Sequence, residues 1–291
     1  MAVRKAVIPA AGLGTRVLPA TKAIPKEMLP LADTPAVEYV VAEAAASGVE
    51  QVTFVVNRFK RPLEDHFDEA PEIRAALERK GARELLARVE QSERLARYIW
   101  VRQPRPLGLG HAVLCARDTI GDEPFGVLLA DDLVDADADP CLAQLIRAHE
   151  RHGGCVVAVM RVPRAEVSRY GVVSLGARVD ERTHEVTGLV EKPSADEAPS
   201  DLIVIGRYVL TPDIFPALER TAPGAGGEIQ LTDGLLGLLR AGGRVYAHEF
   251  SGVRYDTGDP VGLLTTSIAY ALKRPDLAPG VLAYLKTLRL D

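Results

Sequence analysis

The segment from Ala6 to Leu31 constrains the fold of this chain more than any other part of the sequence. It opens with an apolar run at positions 6–8, which predicts a buried strand, and the run leads directly into a loop that contains Gly12 and Gly14. Glycines at this spacing permit positive φ angles and let a ligand approach the backbone without meeting a Cβ atom. Successive free N–H groups in such a loop form a concave site for anions. The sequence therefore predicts a strand that ends in a phosphate-binding loop.

Three cationic side chains, Arg16, Lys22 and Lys26, follow this loop. Arg16 can bind a phosphate group through two parallel hydrogen bonds, and prolines in the segment stiffen the backbone that carries the lysines. A tight turn without any ligand would explain the glycines, but it would leave these cations without acidic partners in the local sequence. We therefore interpret the segment as a phosphate site with cations at its rim.

Two common phosphate-binding loops do not fit this segment. A Walker-type P-loop requires Gly-Lys followed by Ser or Thr, whereas Gly14 is followed by Thr15 and Arg16. A dinucleotide-binding loop requires a third glycine, and Val17 stands at that position. An oxidoreductase that binds NAD is therefore disfavoured.

Length and composition favour an ordinary globular protein. A chain of 291 residues can bury the core of one large α/β domain or of two small ones. The net charge of −5 argues against a general nucleic-acid-binding surface, so a phosphate site must be a local cluster of cations. Cys115, Cys141 and Cys155 lack metal-ligand spacing and indicate buried thiols in a reducing compartment. Because no signal peptide precedes the first strand, we expect a cytoplasmic protein.

Alternation of apolar runs with amphipathic segments predicts an α/β fold. A helix over 36–47 and a strand over 51–56 complete a β-loop-α-β unit, and the charged segment 60–97 predicts solvated helices. We expect a Rossmann-like, mostly parallel or mixed central sheet flanked by helices, with a small β-ribbon region at 170–190 and helices at the C-terminal end. The pattern also predicts a core strand over 203–210, a helix over 228–240 and a helix that Asp259-Pro260 opens. No internal repeat or flexible linker interrupts this pattern.

Polar side chains follow two of the predicted strands. Gln103 follows the strand 98–102, and Asp131 and Asp132 follow the strand 125–129. Ligands of open α/β sheets bind outside the carboxyl ends of the strands. A Gln amide donates and accepts side by side and can pair with the edge of a nucleobase, while a carboxylate beside a phosphate site suits Mg²⁺. The residues alone leave both aspartates open as the metal ligand.

Several motifs carry a resemblance to a known family. They are G-x-G-T-R, P-x-T-K and P-K-E-M-L-P within 12–30, G-L-G-H-A at 108–112, E-K-P at 191–193 and G-G-E-I-Q-L-T-D at 226–233. In this order the motifs cover most of the chain. The chain resembles the sugar-1-phosphate nucleotidyltransferases, and among them the bacterial UTP–glucose-1-phosphate uridylyltransferases.

The resemblance implies a GT-A-like nucleotidyltransferase domain over 1–258. This domain would consist of a nucleotide-binding lobe at about 1–135 and a sugar-binding lobe at about 136–258. A helical segment at 259–291 would pack on the domain or on a neighbouring subunit. It implies an enzyme that transfers the uridylyl group of UTP to glucose 1-phosphate and produces UDP-glucose and pyrophosphate. Mg²⁺ would be the cofactor, and a homodimer or homotetramer the assembly. Neither nucleic acid nor a membrane would be a partner.

The resemblance also implies roles for individual residues. The cations that would act on the phosphates are Arg16, Lys26 and Lys192. The nucleotide-binding residues would be Ala11, Gly12, Gly14, Thr15, Glu27, Gln103 and Gly108. The sugar-binding residues would be Gly171, Glu191 and Lys192. The metal ligands would be Asp131 and Asp256, with Asp132 as a second candidate. We expect Asp131 and Asp256 each to follow a buried strand, so that parallel strands of one sheet bring them together at their carboxyl ends. We interpret His111 as a structural residue at a helix start.

Two motifs disagree about the nucleotide. The run from Gln103 to Pro106 resembles the Q-P-x-P of thymidylyltransferases, and Leu107 stands where uridylyltransferases usually have Lys. Lys26-Glu27-Met28 has the uridylyl form, whereas thymidylyl enzymes tend towards K-Q-L. We favour UTP and leave use of dTTP open, because one methyl group supplies only about 1–3 kcal/mol of discrimination. A catalytically silent nucleotide-sugar-binding protein would lack one of the cations or carboxylates, and none is missing.

Overall fold

A nine-stranded sheet forms the centre of the molecule. The computed structural model describes residues 2–289. The strands in that range are β1 (Lys5–Pro9), β2 (Pro30–Leu31), β3 (Thr34–Pro35), β4 (Gln51–Val56), β5 (Arg97–Arg102), β6 (Phe125–Leu128), β7 (Asp132–Asp135), β8 (Cys155–Arg161), β9 (Gly171–Arg178), β10 (Thr183–Glu191), β11 (Leu202–Leu210), β12 (Val245–Glu249) and β13 (Val253–Asp256). The α-helices in that range are α1 (Ala36–Ala46), α2 (Arg61–Phe67), α3 (Pro71–Lys80), α4 (Arg83–Arg94), α5 (Leu109–Cys115), α6 (Arg117–Ile120), α7 (Cys141–His152), α8 (Ile214–Glu219), α9 (Leu231–Arg240), α10 (Pro260–Lys273) and α11 (Ala278–Leu285). The strand order across the sheet is β5-β4-β1-β6-β11-β8-β12-β10-β9.

The first half of the sheet is parallel. β4 pairs with β1 and β5, and β1 pairs with β6, all in parallel. The predicted β-loop-α-β unit is confirmed as β1, α1 and β4. Because these strands run in one direction, their carboxyl ends share one edge, where the glycine loop follows β1, Gln103 follows β5 and Asp131 lies beyond β6.

The second half of the sheet is largely antiparallel. β11 is buried along its whole length and pairs antiparallel with β6 and β8. β12 pairs parallel with β8 and antiparallel with β10, and β10 forms an antiparallel hairpin with β9. The strands expected as a ribbon at 170–190 are this hairpin, which extends the central sheet. The α/β class and the mixed sheet predicted from the sequence are confirmed.

A separate ribbon of two strands, β7 and β13, lies beside this sheet. The two strands are antiparallel, and their register places Asp256 opposite Asp132. The prediction that Asp256 follows a buried strand parallel to the others is therefore wrong, because the residues of β13 are half-buried or exposed and pair outside the central sheet.

Helices on both faces bury an apolar layer on each side of the sheet. Phe54 is central to one layer, and Phe125 stacks on Phe215 at 5.3 Å in the other. The predicted helical segment 60–97 contains α2, α3 and α4. α9 begins at Leu231, three residues after the predicted start at Glu228, because the intervening backbone bonds to the segment 107–110 and stays extended.

The C-terminal helices are α10 and α11. α10 begins at Pro260, as predicted, and the Asp259 side chain caps it by accepting a hydrogen bond of 2.9 Å from Gly262 N. Within residues 2–289, no helix combines the length and the apolar character needed to cross a membrane.

Candidate active site

The glycine loop turns sharply at Gly14. Its φ of 68° lies in the left-handed region that favours glycine, and its carbonyl accepts a hydrogen bond of 2.7 Å from Thr21 Oγ1. A Cβ atom at Gly14 would lie 3.2 Å from Cβ of Lys26. The missing side chain therefore lets the segment that carries Lys26 fold back onto the loop. Gly12 and Thr15 are exposed on this loop.

Two of the predicted cations converge on Asp131. Lys26 Nζ lies 2.5 Å and Arg16 Nη2 lies 3.4 Å from Asp131 Oδ2. Burial alone would raise the pKa of Asp131, but the charges of Lys26 and Arg16 hold it below its usual range. Burial also opposes the charge on Lys26, but Asp131 and Glu27 raise the pKa of Lys26 above its ordinary value. Both Asp131 and Lys26 are therefore ionised at neutral pH.

Asp256, at the end of β13, lies near Arg16 and Asp131. Thr257 donates to Asp131 O from its backbone N–H at 2.8 Å and from its hydroxyl at 3.0 Å. A Cβ atom at Gly258 would lie 2.6 Å from Arg16 Nη2 and 2.8 Å from Asp256 Oδ1. Gly258 therefore leaves room for Arg16 and Asp256 to approach each other. β7–β13 pairing places Asp256 opposite Asp132, the neighbour of Asp131, and the predicted arrangement on parallel strands of one sheet is wrong.

Asp132 has both carboxylate oxygens engaged. Arg254 Nε donates to Oδ1 at 2.6 Å, and Gly206 N donates to Oδ2 at 2.8 Å. Burial raises the pKa of Asp132, although the charges of Arg254 and Arg207 oppose that shift. Asp132 therefore anchors the ribbon to β11, and Asp131 is the better candidate for a metal ligand.

Arg254 contacts residues of both the ribbon and the loop before β9, and no sequence pattern singled it out. Besides Asp132, it approaches Asp256 Oδ2 at 3.4 Å and the Tyr170 hydroxyl at 3.4 Å, and its guanidinium carbon lies 5.2 Å from the centre of the Tyr170 ring. Tyr170 directly precedes Gly171. The spacing could have indicated Arg254, because residues two apart in a strand share a face and Arg254 stands two residues before the predicted site residue Asp256.

The predicted sugar residues meet at the β9–β10 hairpin. Gly171 is paired with Glu191, and a Cβ atom at Gly171 would lie 3.2 Å from Glu191 Oε2. The same oxygen accepts a hydrogen bond of 2.7 Å from Thr232 Oγ1 in α9. Lys192 has a φ of 49°, and its Nζ lies 2.9 Å from Glu191 Oε1. Backbone strain of this kind in a non-glycine residue clusters at functional sites.

Gln103 and Gly108 belong to one tight loop. Gln103 is buried, and its Nε2 donates to Gly108 O at 3.1 Å and lies 3.0 Å from His111 Nδ1. Gly108 has a φ of 98°, and a Cβ atom there would lie 2.7 Å from Cβ of Glu228, so a larger residue would strain the backbone and displace the segment 228–229. His111 lies in the first turn of α5, and burial lowers its pKa, as suits the structural role predicted for it.

Glu27 is buried beneath the glycine loop in an ion pair that the sequence reasoning missed. Lys60 Nζ lies 2.7 Å from Glu27 Oε2, and the side chains of Lys60 and Glu27 are 4% and 0% exposed. Lys60 stands at the start of a charge-rich segment that predicts exposed residues, and for Lys60 that prediction is wrong. Nearby, Ala11 O accepts a hydrogen bond of 2.6 Å from Asn57 Nδ2.

These contacts divide the predicted site residues into two groups, which we call the phosphate end and the sugar end after the roles predicted for them. The phosphate end contains Arg16, Lys26, Asp131 and Asp256, and the sugar end contains Gly171, Glu191 and Lys192. Among residues 2–289, no group of three or more His, Cys, Asp or Glu side chains converges as a metal site. Mg²⁺ is commonly held by one or two carboxylates, completed by substrate phosphates and water. Asp131 and Asp256 fit an ion of that kind, shared with a phosphorylated substrate.

A cluster of cations and carboxylates at the carboxyl edge of an α/β sheet suits an enzyme that transfers phosphate-containing groups. A family model described as nucleotidyl transferase matches residues 5–272, and the chain belongs to that family. Enzymes of this class generally use a divalent metal ion.

Individual relatives narrow the class. The chain is 49% identical over 289 residues to the UTP–glucose-1-phosphate uridylyltransferase 2 of Staphylococcus saprophyticus, covering 99% of each chain. It is 41% identical to a UTP-bound UGPase from Acinetobacter baumannii, with a TM-score of 0.91 and coverage of 99% of this chain and 100% of that one. It is 43% identical to a UDP-glucose pyrophosphorylase complexed with UDP-glucose, with a TM-score of 0.84 and coverage of 94% and 100%.

Proposed function

We propose that this chain transfers the uridylyl group of UTP to glucose 1-phosphate and releases pyrophosphate. The observation that carries the proposal is the meeting of Arg16, Lys26, Asp131 and Asp256 at the carboxyl edge of the parallel strands. This edge belongs to a chain that is similar over its full length to enzymes with that name. The Lys26-Glu27-Met28 form of the loop favours UTP over dTTP.

The reaction needs positioning and charge stabilisation more than a side-chain nucleophile. An anionic oxygen of glucose 1-phosphate attacks the α-phosphorus of UTP in line. The bond from the α-phosphorus to the bridging β-oxygen breaks, and pyrophosphate leaves with that electron pair. In our proposal Arg16 holds the β- and γ-phosphates, Lys26 bridges the phosphates on the nucleotide side, and Lys192 holds the sugar phosphate.

The contacts of Asp131 suggest how the phosphate end accepts its substrate. Without nucleotide, Asp131 neutralises Lys26 and Arg16 through direct contacts. Phosphate oxygens of UTP can replace the carboxylate as partner of both cations, and Asp131 is then free to bind a metal ion together with Asp256. We propose Mg²⁺ as that ion, which when bound neutralises phosphate charge. The metal site should therefore fill only together with nucleotide.

The remaining predicted residues are assigned to the uncharged parts of the substrates. Gln103 presents an amide at the end of β5 for the uracil edge, in a loop that Gly108 closes. Ala11, Gly12, Gly14 and Thr15 provide backbone beside the nucleotide. Glu191 and the backbone of Gly171 hold glucose hydroxyls, for which a carboxylate is a strong acceptor.

We also propose the domain organisation and the assembly. One nucleotidyltransferase domain spans 1–258, and the segment 259–291 adds helices to it. Val261 is 72% and Leu264 is 63% exposed on α10, and Tyr284 is 65% exposed on α11. Apolar exposure of this extent suits helix packing against a second copy, in a homodimer or homotetramer. The three cysteines are free thiols, as suits the reducing cytoplasm.

A panel of nucleoside triphosphates and sugar 1-phosphates, followed by pyrophosphate release, tests the proposed function. We expect the highest kcat/KM for UTP with glucose 1-phosphate in the presence of Mg²⁺. A preference of tenfold or more for dTTP would instead mean that the Q-P-x-P stretch indicates the nucleotide and that the chain is a thymidylyltransferase. Binding of UTP without any pyrophosphate release would identify a silent nucleotide-binding protein.

A further inference from the structure

The Arg254 guanidinium makes contacts both inside and outside the β7–β13 ribbon. Its Nε donates to Asp132 Oδ1 at 2.6 Å, and its Nη2 lies 3.4 Å from Asp256 Oδ2, on the strand opposite Asp132. Its third nitrogen, Nη1, lies 3.4 Å from the Tyr170 hydroxyl, outside the ribbon. The Arg254 side chain is only 13% exposed. Because a guanidinium presents its donors in a rigid planar fork, the contacts within the ribbon fix the direction in which Nη1 points.

Tyr170 lies between the ribbon and the sugar end. The centre of its ring is 5.2 Å from the guanidinium carbon of Arg254, which is within the range of a cation–π contact. Its carbonyl accepts a hydrogen bond of 3.0 Å from Lys192 N, and the next residue, Gly171, is paired with Glu191. Tyr170 therefore contacts Arg254 through its side chain and Lys192 through its backbone.

Arg254 and Tyr170 together join Asp256 to Lys192 by a continuous series of contacts. Asp256 Oδ1 accepts a hydrogen bond of 2.8 Å from Gly258 N, so that Arg254 faces the other carboxylate oxygen. Among the described strands, the ribbon and the β9–β10 hairpin belong to different sheets. Backbone pairing therefore does not set the distance between the two charged groups, and side-chain contacts must set it.

The Asp132 carboxylate explains why a cation is buried here, but it does not explain the contact with Tyr170. An ion pair with Asp132 uses one nitrogen of Arg254, and a lysine could supply that charge. Contacts of 3.4 Å are long and contribute little to stability. Their effect on geometry is greater, because an in-line attack tolerates little displacement, and a misplacement of about 1 Å can cost about a hundredfold in rate.

Resting on the proposed function, we propose that Arg254 and Tyr170 are positioning residues that hold the sugar end at a fixed place relative to Asp256. Through the Tyr170 carbonyl, the pair places Lys192, and with it the phosphate of glucose 1-phosphate, in line with the α-phosphorus of UTP. The two residues act through Asp256 and Lys192 and not by contact with the reacting atoms. Their contact therefore matters for a ligand that spans both ends, such as UDP-glucose, and much less for UTP, which occupies the phosphate end.

The test compares the binding of UDP-glucose with the binding of UTP. Dissociation constants are measured by calorimetry with Mg²⁺ for the unmodified chain, Tyr170→Leu, Arg254→Lys and the double variant. Tyr170→Leu keeps apolar bulk and leaves Arg254 paired with Asp132. It should raise the dissociation constant of UDP-glucose about tenfold and change that of UTP by less than about threefold. Its kcat should fall by about tenfold to a hundredfold.

The double variant separates a joint role from a local one. Arg254→Lys keeps a cation for Asp132 but loses the fork that reaches Tyr170, so it should weaken UDP-glucose binding about as much as Tyr170→Leu. Because both changes break one contact, the double variant should lose little more than either single variant. If Arg254→Lys fails to fold, Tyr170→Phe supplies the test. It removes only the hydroxyl opposite Nη1, and it should raise the dissociation constant of UDP-glucose by at least about threefold.

Arg74→Lys is the matched control, because Arg74 also joins two elements. It lies on α3 and contacts Glu90 and Glu93 of α4 at 3.3 Å and 3.1 Å. Its replacement can lower the melting temperature but should keep the ratio of the UDP-glucose and UTP dissociation constants. An unchanged ratio in Tyr170→Leu, or additive losses in the double variant, would overturn the positioning role. Failure of the unmodified chain to bind UDP-glucose would overturn the proposed function as well.

Discussion

The phosphate end and the sugar end of the site hold their lysines in different ways. Lys26 is 18% exposed and contacts the carboxylate of Asp131, which lies 105 positions further along the chain, at 2.5 Å. Lys192 is 50% exposed and contacts its own neighbour, Glu191, at 2.9 Å. Its backbone, in contrast, is constrained by a φ of 49° and by a hydrogen bond of 3.0 Å from Lys192 N to Tyr170 O.

Ion pairing with a distant carboxylate holds the side chain of Lys26, whereas the backbone conformation of Lys192 sets the position of its side chain. An ion pair with a half-exposed lysine, such as Lys192–Glu191, contributes little to stability, because solvent screens the ammonium group. A strained backbone at such a residue therefore serves some purpose other than stability. At the phosphate end, ion pairing keeps Lys26 and Asp131 ionised and in place before substrate arrives. Three sets of substitutions test this contrast.

The largest effect should follow Lys192→Ala. If the ammonium meets phosphate in the transition state, kcat should fall by about a hundredfold to a thousandfold, as when one stabilising donor is removed from an active site. Stability should barely change, because the Lys192 side chain is half-exposed. Single-turnover kinetics and thermal unfolding measure the two quantities. Lys80→Ala, at the exposed end of α3, is the control. Near-normal turnover would contradict a role in catalysis and would mean that Glu191–Lys192 is only a surface ion pair.

A somewhat smaller effect should follow Asp131→Asn and Asp256→Asn. Each should reduce turnover by about tenfold to a hundredfold at low Mg²⁺ and shift the Mg²⁺ midpoint upwards, because each removes one ligand of a shared ion. The double variant should lose much less than the product of the two single losses. Turnover and UTP binding across a Mg²⁺ titration provide the measurement.

Asp132→Asn is the matched control for these variants. Its carboxylate binds Arg254 and Gly206 N, so this change should lower stability and leave the Mg²⁺ midpoint where it was. Independent, additive losses for Asp131 and Asp256 with an unchanged midpoint would contradict the shared site.

Gly171→Ala should act on the sugar end alone. Its Cβ atom would lie 3.1 Å from Thr232 Oγ1 and 3.2 Å from Glu191 Oε2, so the carboxylate must shift. We expect KM for glucose 1-phosphate to rise about tenfold, about 1.4 kcal/mol, with UTP affinity unchanged. Initial rates with each substrate varied in turn separate the two. Gly280→Ala, where an added Cβ meets nothing within 4 Å, is the control. Weaker UTP binding would show that the ends are not independent.

The smallest effect concerns acid stability in the second half of the sheet. His248 on β12 is buried, and its Nδ1 lies 2.9 Å from Thr183 Oγ1. Burial lowers the pKa of His248 from 6.5 to about 4. The unfolded chain therefore takes up a proton near pH 6.5, and the folded protein only near pH 4. The free energy of unfolding should fall as the pH drops through that window, by up to about 3 kcal/mol.

Urea unfolding between pH 7 and pH 4 measures this loss of stability. His248→Gln should flatten the dependence on pH. Asp131 should not contribute in this window, since the pKa of its carboxyl is held below the usual range. A dependence that survives His248→Gln unchanged would mean that other groups titrate.

Local sequence patterns predicted much of the fold and the edge of the sheet at which the candidate site lies. Apolar runs bounded by glycine and proline located β1, β4 and β11, and the carboxyl ends of the parallel strands indicated where ligands bind. The start of α9 was placed three residues too early, because backbone bonds to a segment more than a hundred residues away keep residues 228–230 extended. Such bonds leave no mark on local periodicity.

The sequence by itself determined the glycine loop with its cations, the mixed α/β class and the family, because each depends on residue types at short, regular spacing. Only the tertiary structure decided that Asp132, and not its neighbour Asp131, is bound by Arg254 and Gly206 N, and that Asp256 lies opposite Asp132 on a ribbon. It also decided that Lys60, in a charge-rich stretch, is buried against Glu27. The physical reason is that burial and pairing depend on the register between segments far apart in the chain, and no single segment encodes that register.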